Sequence, residues 1–83
     1  MYIHLGGEKI VRTTELVAIF DISIEQSSKL SKQFVAGARK RKDVETIGEE
    51  DPKSIVVTEK KIYYSPISSS TLKKRAHLFV TGG

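Results

Sequence analysis

The chain has 83 residues, 39% of them hydrophobic and 29% charged, which suits one small globular domain and leaves no room for a second. It contains no cysteine, so disulfides and thiolate metal sites are excluded, and no apolar run approaches the roughly 18 residues that a membrane span needs. Fourteen basic against ten acidic residues give a net charge of +4, and residues 60–83 hold five Lys/Arg with no Asp/Glu, a balance compatible with an anionic partner. Residues 1–7 have neither a basic start nor a long apolar stretch of leader type, so a cytoplasmic chain is expected. A domain this short buries only about 60% of its unfolded surface, and without disulfide or metal staples self-association is expected as well.

In chain order, residues 2–5 and 9–12 flank Gly6-Gly7, and adjacent glycines supply the positive φ of a tight turn, so a β-hairpin comes first. Residues 15–20 form a mostly apolar run of strand length, predicted to lie in the middle of the sheet with both faces covered; a helical turn is the weaker alternative. Ser23 and Gln26 have the spacing of a capping box, which starts the main helix near Ser23. Leu30, Phe34 and Ala38 recur at i, i+4 and i+8 as the stripe that docks on the sheet. The helix ends at about Arg41, where Arg39, Lys40, Arg41 and Lys42 crowd the carbonyl end of its dipole.

Residues 44–47 alternate like a half-buried strand, and Gly48-Glu49-Glu50-Asp51-Pro52 forms an acidic turn that proline closes. Residues 54–58 and 61–65 are β-branched and aromatic strands joined by Glu59-Lys60. After Pro66, one of Ser68, Ser69 or Ser70 caps a final helix with Leu72, Ala76 and Phe79 inward and Lys73, Lys74 and Arg75 mostly off that stripe. Residues 81–83 make a frayed tail beyond a single domain over 1–80. The sum is an α+β fold: a small, mostly antiparallel sheet of about six strands, one main helix and a short C-terminal helix.

The residues Tyr2-Ile3-His4-Leu5-Gly6, and above all Lys53-Ser54-Ile55-Val56-Val57-Thr58 with Ile62-Tyr63-Tyr64-Ser65-Pro66-Ile67-Ser68-Ser69-Ser70-Thr71-Leu72-Lys73-Lys74-Arg75-Ala76, closely resemble the RemA/RemB family of extracellular matrix regulatory proteins. The resemblance covers nearly the whole chain and is strongest from Lys53 to Ala76. It implies a cytoplasmic regulator of biofilm matrix gene expression in a Gram-positive bacterium. It also implies a family whose RemA branch forms ring-shaped homo-oligomers and binds DNA as a transcriptional activator. That branch places arginines for DNA in the loop after the first hairpin and, as an adjacent pair, in the loop before the Val-rich strand. In this chain the first site aligns near Glu15, with Arg12 close by, and the pair falls in Glu49-Glu50-Asp51. A carboxylate facing phosphate repels where an arginine would bind, so the RemA-type contact surface does not carry over. Lys53 alone, just past the acidic loop, matches a basic position of the pattern.

Each constellation has a functional and a plain reading. Arg39 to Lys42 offers cations for several phosphates, or is simply a solvated helix terminus, since consecutive helical positions point in different directions. The serine-rich start of the last helix, with Lys73, Lys74 and Arg75, suits an anionic oxygen, or is a capping cluster with a solvated cationic face. Tyr63 and Tyr64 adjoin a basic stretch and suit base stacking, but strand alternation leaves at most one of them outward on the sheet face and makes the other core. His4 and His77 lack metal-ligand spacing, and no nucleophile sits in a recognisable elbow.

The sequence therefore reads as a non-enzymatic regulator: a homo-oligomer, a ring, that binds duplex DNA by shape or backbone, because no recognition helix is apparent. The candidate DNA contacts are Arg39, Lys40, Arg41, Lys42, Lys73, Lys74 and Arg75, with Arg12 and Lys53 behind them. No catalytic residue, metal, cofactor or membrane partner is expected. The competing reading is an oligomeric protein-interaction module of the same family that has lost RemA-type DNA binding and takes a protein partner instead. What separates the two is whether the acidic loop shares a face with the basic clusters.

Overall fold

The computed structural model describes residues 2–24 and 29–79, apart from the side chains of residues 30, 31 and 77–79. Strands β1 (Tyr2–Gly6) and β2 (Lys9–Arg12) form the expected antiparallel hairpin. Its turn uses Gly6 at φ +119° and Gly7 at φ +52°. A side chain at Gly6 would also sit 3.0 Å from the Pro66 ring, so backbone conformation and close approach both require glycine there.

A single 3₁₀ turn, Thr13–Glu15, leads into β3 (Leu16–Asp21). The main helix α1 is described over Lys29–Arg41, followed by β4 (Asp43–Thr46), β5 (Ser54–Thr58), β6 (Lys61–Ser65) and helix α2 (Ser69–Phe79). The capping box with Ser23 involves Gln26, which lies outside the described residues. The Ser23 N–H itself donates to Asp21 Oδ1 at 2.9 Å. The frayed tail at 81–83 is likewise outside them.

The expectation of one sheet of about six strands is corrected: the hairpin is a separate two-stranded sheet, and the rest form a four-stranded sheet in the order β3-β5-β6-β4. β3, β5 and β6 run antiparallel in turn, whereas β4 lies parallel to β6, with Val44 opposite Ile62 and Thr46 opposite Tyr64. The hairpin cannot extend the sheet because it is spent as a cover. Ile3, Leu5 and Val11 lie flat against one face, over Ile19, Val56 and Tyr63, together with Leu72 and the partly buried Ala76 of α2. Helix α1 covers the opposite face with Val35 and Ala38, over Ile55, Val57, Ile62 and Tyr64.

With both faces covered, β5 and β6 read as the unbroken apolar runs that such strands require. Ile55, Val56, Val57 and Ile62 are completely buried, each contributing about 1.5–3 kcal/mol relative to exposure. The same layering corrects two further expectations, on residues 15–20 and on Phe34, and agrees with at most one of Tyr63 and Tyr64 facing outward. Residues 15–20 do not form a central strand: Glu15 belongs to the 3₁₀ turn and β3 is an edge, with a register shift between Leu16 and Ala18 and with Val17 51% exposed. Neither Tyr63 nor Tyr64 faces outward, since one packs under the hairpin and the other under α1. Phe34 is not at the centre of the docking stripe: it lies 43% exposed at the margin, its ring 5.7 Å from that of Phe20, and Val35 takes the buried place beside Ala38.

At the end of the sheet where β5 begins, buried hydroxyls join the layers. Ser65 Oγ donates to the Leu5 carbonyl of the hairpin and accepts from Ile67 N–H at 3.0 Å, while Ser54 Oγ donates to the Ile67 carbonyl at 2.8 Å. Ser68 is the residue that caps α2: its Oγ accepts from Thr71 N–H at 3.3 Å and its carbonyl accepts from Leu72 N–H. Replacing Ser65 by Ala strands the Ile67 N–H and the Leu5 carbonyl in a site with no exposure, at a cost of about 1–3 kcal/mol. Thermal unfolding of S65A is expected to show that loss as a lowered Tm, with the folded-state circular dichroism unchanged.

Candidate nucleic-acid interface

The basic run at the end of α1 does not act as one unit. Val35, Ala38, Arg39 and Lys42 follow the spacing i, i+3, i+4, i+7 and so share the face of α1 that meets the sheet. Helical phase persists to Lys42, whose N–H donates to the Ala38 carbonyl at 2.9 Å. Accordingly, the Arg39 guanidinium lies 5.4 Å from the Tyr64 ring centre, and Lys42 Nζ donates to the Thr58 carbonyl at 2.8 Å. Lys40 and Arg41 fall off this face; both are exposed, as is Arg39 beside the Tyr64 ring. Neither makes an ion pair or side-chain hydrogen bond with a described residue.

The carbonyl of Thr58 is the last of β5, and the same residue closes the β5–β6 turn. Its Oγ1 donates to the Lys61 carbonyl and accepts from Lys61 N–H. Glu59 N–H in turn donates to the Glu15 carbonyl at 3.0 Å, fixing the turn to the 3₁₀ segment. Lys60, exposed at the tip of this turn, is thereby brought to the end of α1. The sequence reading did not single out Lys60, because 18 positions separate it from Lys42 and only the tertiary contact at Thr58 joins them.

The acidic loop lies elsewhere. Lys53 pairs through its N–H with the Ser65 carbonyl and through its own carbonyl with Ile22 N–H, which places residues 49–53 at the start of β5. Glu49, Glu50, Asp51 and Lys53 are all exposed there. Four strand steps of roughly 3.3 Å set this end about 13 Å from Thr58. Lys53 is thus beside the acidic loop and apart from the run at Arg39 to Lys42.

The remaining candidates are dispersed. Arg12 is exposed on the outer face of the hairpin, opposite Tyr2. Lys73 and Lys74 are exposed on α2, where Lys73 contributes to the field at Asp21; Arg75 is half-buried, its Nη1 donating to the His4 carbonyl at 2.8 Å. Two further lysines are engaged: Lys9 and Lys61 flank Glu45 at 3.4 and 3.1 Å, and Lys9 also lies 5.3 Å from the Tyr63 ring centre. A pocket of about 320 Å³ between the hairpin turn and β4 is lined by Glu8, Glu45 and this engaged Lys9, so its charge does not suit a phosphate.

The described residues form an α+β domain with buried central strands and cations dispersed over its surface. A family profile described as "RemA-like: Extracellular matrix regulatory protein A-like" matches residues 2–76, and the chain belongs to this family. It is 50% identical over 76 residues to "Extracellular matrix regulatory protein B" of Bacillus subtilis (strain 168), an alignment that spans 92% of this chain and 90% of that protein.

The lysines around Glu45 leave a mark on acid stability. The hydrogen bond from Lys61, then the neighbouring Lys9, holds the Glu45 carboxyl below its ordinary value of 4.5, and Glu45 raises the Lys61 ammonium in return. A lowered folded pKa contributes stability that is present above the unfolded value and lost as pH falls through the folded one. The Tm is expected to decline as pH drops below 4.5, and E45Q should remove the Glu45 share of that decline. Tm profiles of the two proteins down to pH 2–3, roughly two units under an ordinary carboxyl, make the comparison.

Proposed function

We propose that this protein is a non-enzymatic regulator of extracellular matrix gene expression that works in the cytoplasm as a homo-oligomeric ring and binds the backbone of duplex DNA. The matrix role follows the name of the Bacillus subtilis relative and of the family. The observation that supports DNA as the ligand is the placing of exposed cations apart from the acidic loop. The segments that carry Lys40, Arg41 and Lys60 meet at the Thr58 end of β5, which also carries Glu15, Asp43 and Glu59, while Glu49, Glu50 and Asp51 lie before its other end, so the acidic loop need not meet a phosphate held at the Thr58 end.

Assembly is favoured by the exposed apolar side chains and the free edges. Tyr2 and Ile10 stand on the outer hairpin face, Val17 on β3 and Val44 on β4, each more than 40% exposed, and β3 and β4 are the two borders of the four-stranded sheet. Repetition of a weak basic site around an oligomer multiplies affinity through effective concentration. Among the described residues, no helix is long and apolar enough to cross a membrane.

A second reading has its own observation. Glu49, Glu50 and Asp51 are exposed, with charge reversed where the resemblance implies an arginine pair in the RemA branch, as suits a surface turned to a protein partner. Fluorescence anisotropy of a labelled duplex at two salt concentrations separates the readings. Saturable binding that weakens steeply with salt is expected, because each phosphate contact releases counterions. No binding at low salt would overturn DNA as the ligand and favour the protein-partner reading. Light scattering should give a mass several times that of one chain; a monomer at micromolar concentration would remove the ring.

A further inference from the structure

We infer that the basic end of the sheet is a composite phosphate-binding site made of Lys40 and Arg41 from α1 and Lys60 from the β5–β6 turn, with Arg39 and Lys42 acting as positioning residues. The inference rests on the DNA reading above and deepens it. Helical phase divides the run in two. Arg39 and Lys42 continue the buried face of Val35 and Ala38 and are committed to the Tyr64 ring and the Thr58 carbonyl. The Thr58 carbonyl takes one of the three donors of the Lys42 ammonium and fixes its position, whereas Lys40 and Arg41 have no such tether to a described residue.

Lys42 does more than satisfy a carbonyl. It joins the end of α1 to the residue whose hydroxyl closes the β5–β6 turn, and that turn is fastened by Glu59 N–H to the Glu15 carbonyl. One lysine thus fixes the helix end against the β5–β6 turn, and with Asp43 opposite Lys61 in the strand register the two segments that carry Lys40, Arg41 and Lys60 meet at one end of the sheet. The same end also carries Glu15, Glu59 and Asp43, with Lys61 opposite Asp43 in the strand register and its ammonium on Glu45. Carboxylates and cations are thus interspersed at this end, with Glu59 beside Lys60 in the turn. The ligand chemistry is the phosphodiester backbone, which a site without base-reading geometry recognises as spaced negative charge.

The test is duplex anisotropy with the full chain across a salt series, paired with thermal unfolding of each variant. K60Q, and separately K40Q with R41Q, should weaken binding several-fold at low salt and reduce the slope of log affinity against log salt by roughly one per cation removed. Their Tm should match the natural protein. K42M should lower the Tm, and K42R should restore it by keeping a donor for Thr58; K42R should bind with the natural slope. K32Q, an exposed lysine ten residues before Lys42 on α1, serves as the control, with the natural slope expected. If the natural protein binds and K60Q and K40Q/R41Q leave the slope unchanged, the inference is wrong and the DNA reading survives. If K42M lowers the slope while its Tm stays unchanged, Lys42 is a contact and its positioning role is overturned. If the natural protein binds no duplex at low salt, the DNA reading itself falls and the composite site with it.

Discussion

The arrangement of the whole chain follows from the need to cover both faces of the β5–β6 pair. These two strands carry apolar or aromatic side chains on both sides, so any structure that leaves one face wet forfeits several fully buried residues at about 1.5–3 kcal/mol each. A chain of 83 residues has few elements with which to do this. Helix α1 closes one face, and the hairpin and α2 share the other. Using the hairpin as a lid costs the sheet two strands and leaves β3 and β4 as bare edges.

Polar groups then decide how the layers line up, because an apolar interface alone is tolerant of sliding whereas a buried hydroxyl without a partner is costly. Ser54 and Ser65 fasten the hairpin end and the approach to α2 at one end of β5. Thr58 and Lys42 fasten the helix end and the β5–β6 turn at the other. Among the described residues, no buried side-chain nitrogen or oxygen lacks a hydrogen-bond partner. The two ends of one short strand are thus the two fixed points of the molecule: the acidic loop leads into the first and the basic run of α1 ends on the second.

That division changes what membership in the RemA-like family means for this chain. The loop before β5 carries Glu49, Glu50 and Asp51, and the segment after the first hairpin carries a half-buried Glu15 whose carbonyl holds the β5–β6 turn. Glu15 and Glu49 to Asp51 offer no cation, and exposed Arg12 and Lys53 stand beside them. Other exposed cations are on α1, on α2 and at the β5–β6 turn. Net charge argues only for the sign of a partner, and the geometry supplies the place.

Most of the elements were legible in the residues because their signals are local. Adjacent glycines marked the first turn, Pro52 and Pro66 bounded strands, β-branched runs marked β5 and β6, and a serine cluster marked the start of α2. The grouping of strands was not legible, since a hairpin that extends a sheet and a hairpin that lies on it have the same alternation. For the same reason the apolar run at 15–20 looked central: period and composition record that a strand is covered, not which neighbours it has. The candidate site divides in the same way. The sequence by itself determined which residues are cationic and that four of them are consecutive. Only the tertiary structure decided that Arg39 and Lys42 face the sheet, that the β5–β6 turn with Lys60 meets the end of α1, and that the acidic loop stands at the far end of β5, because side-chain direction and contacts between distant segments are set by packing, which no local spacing records.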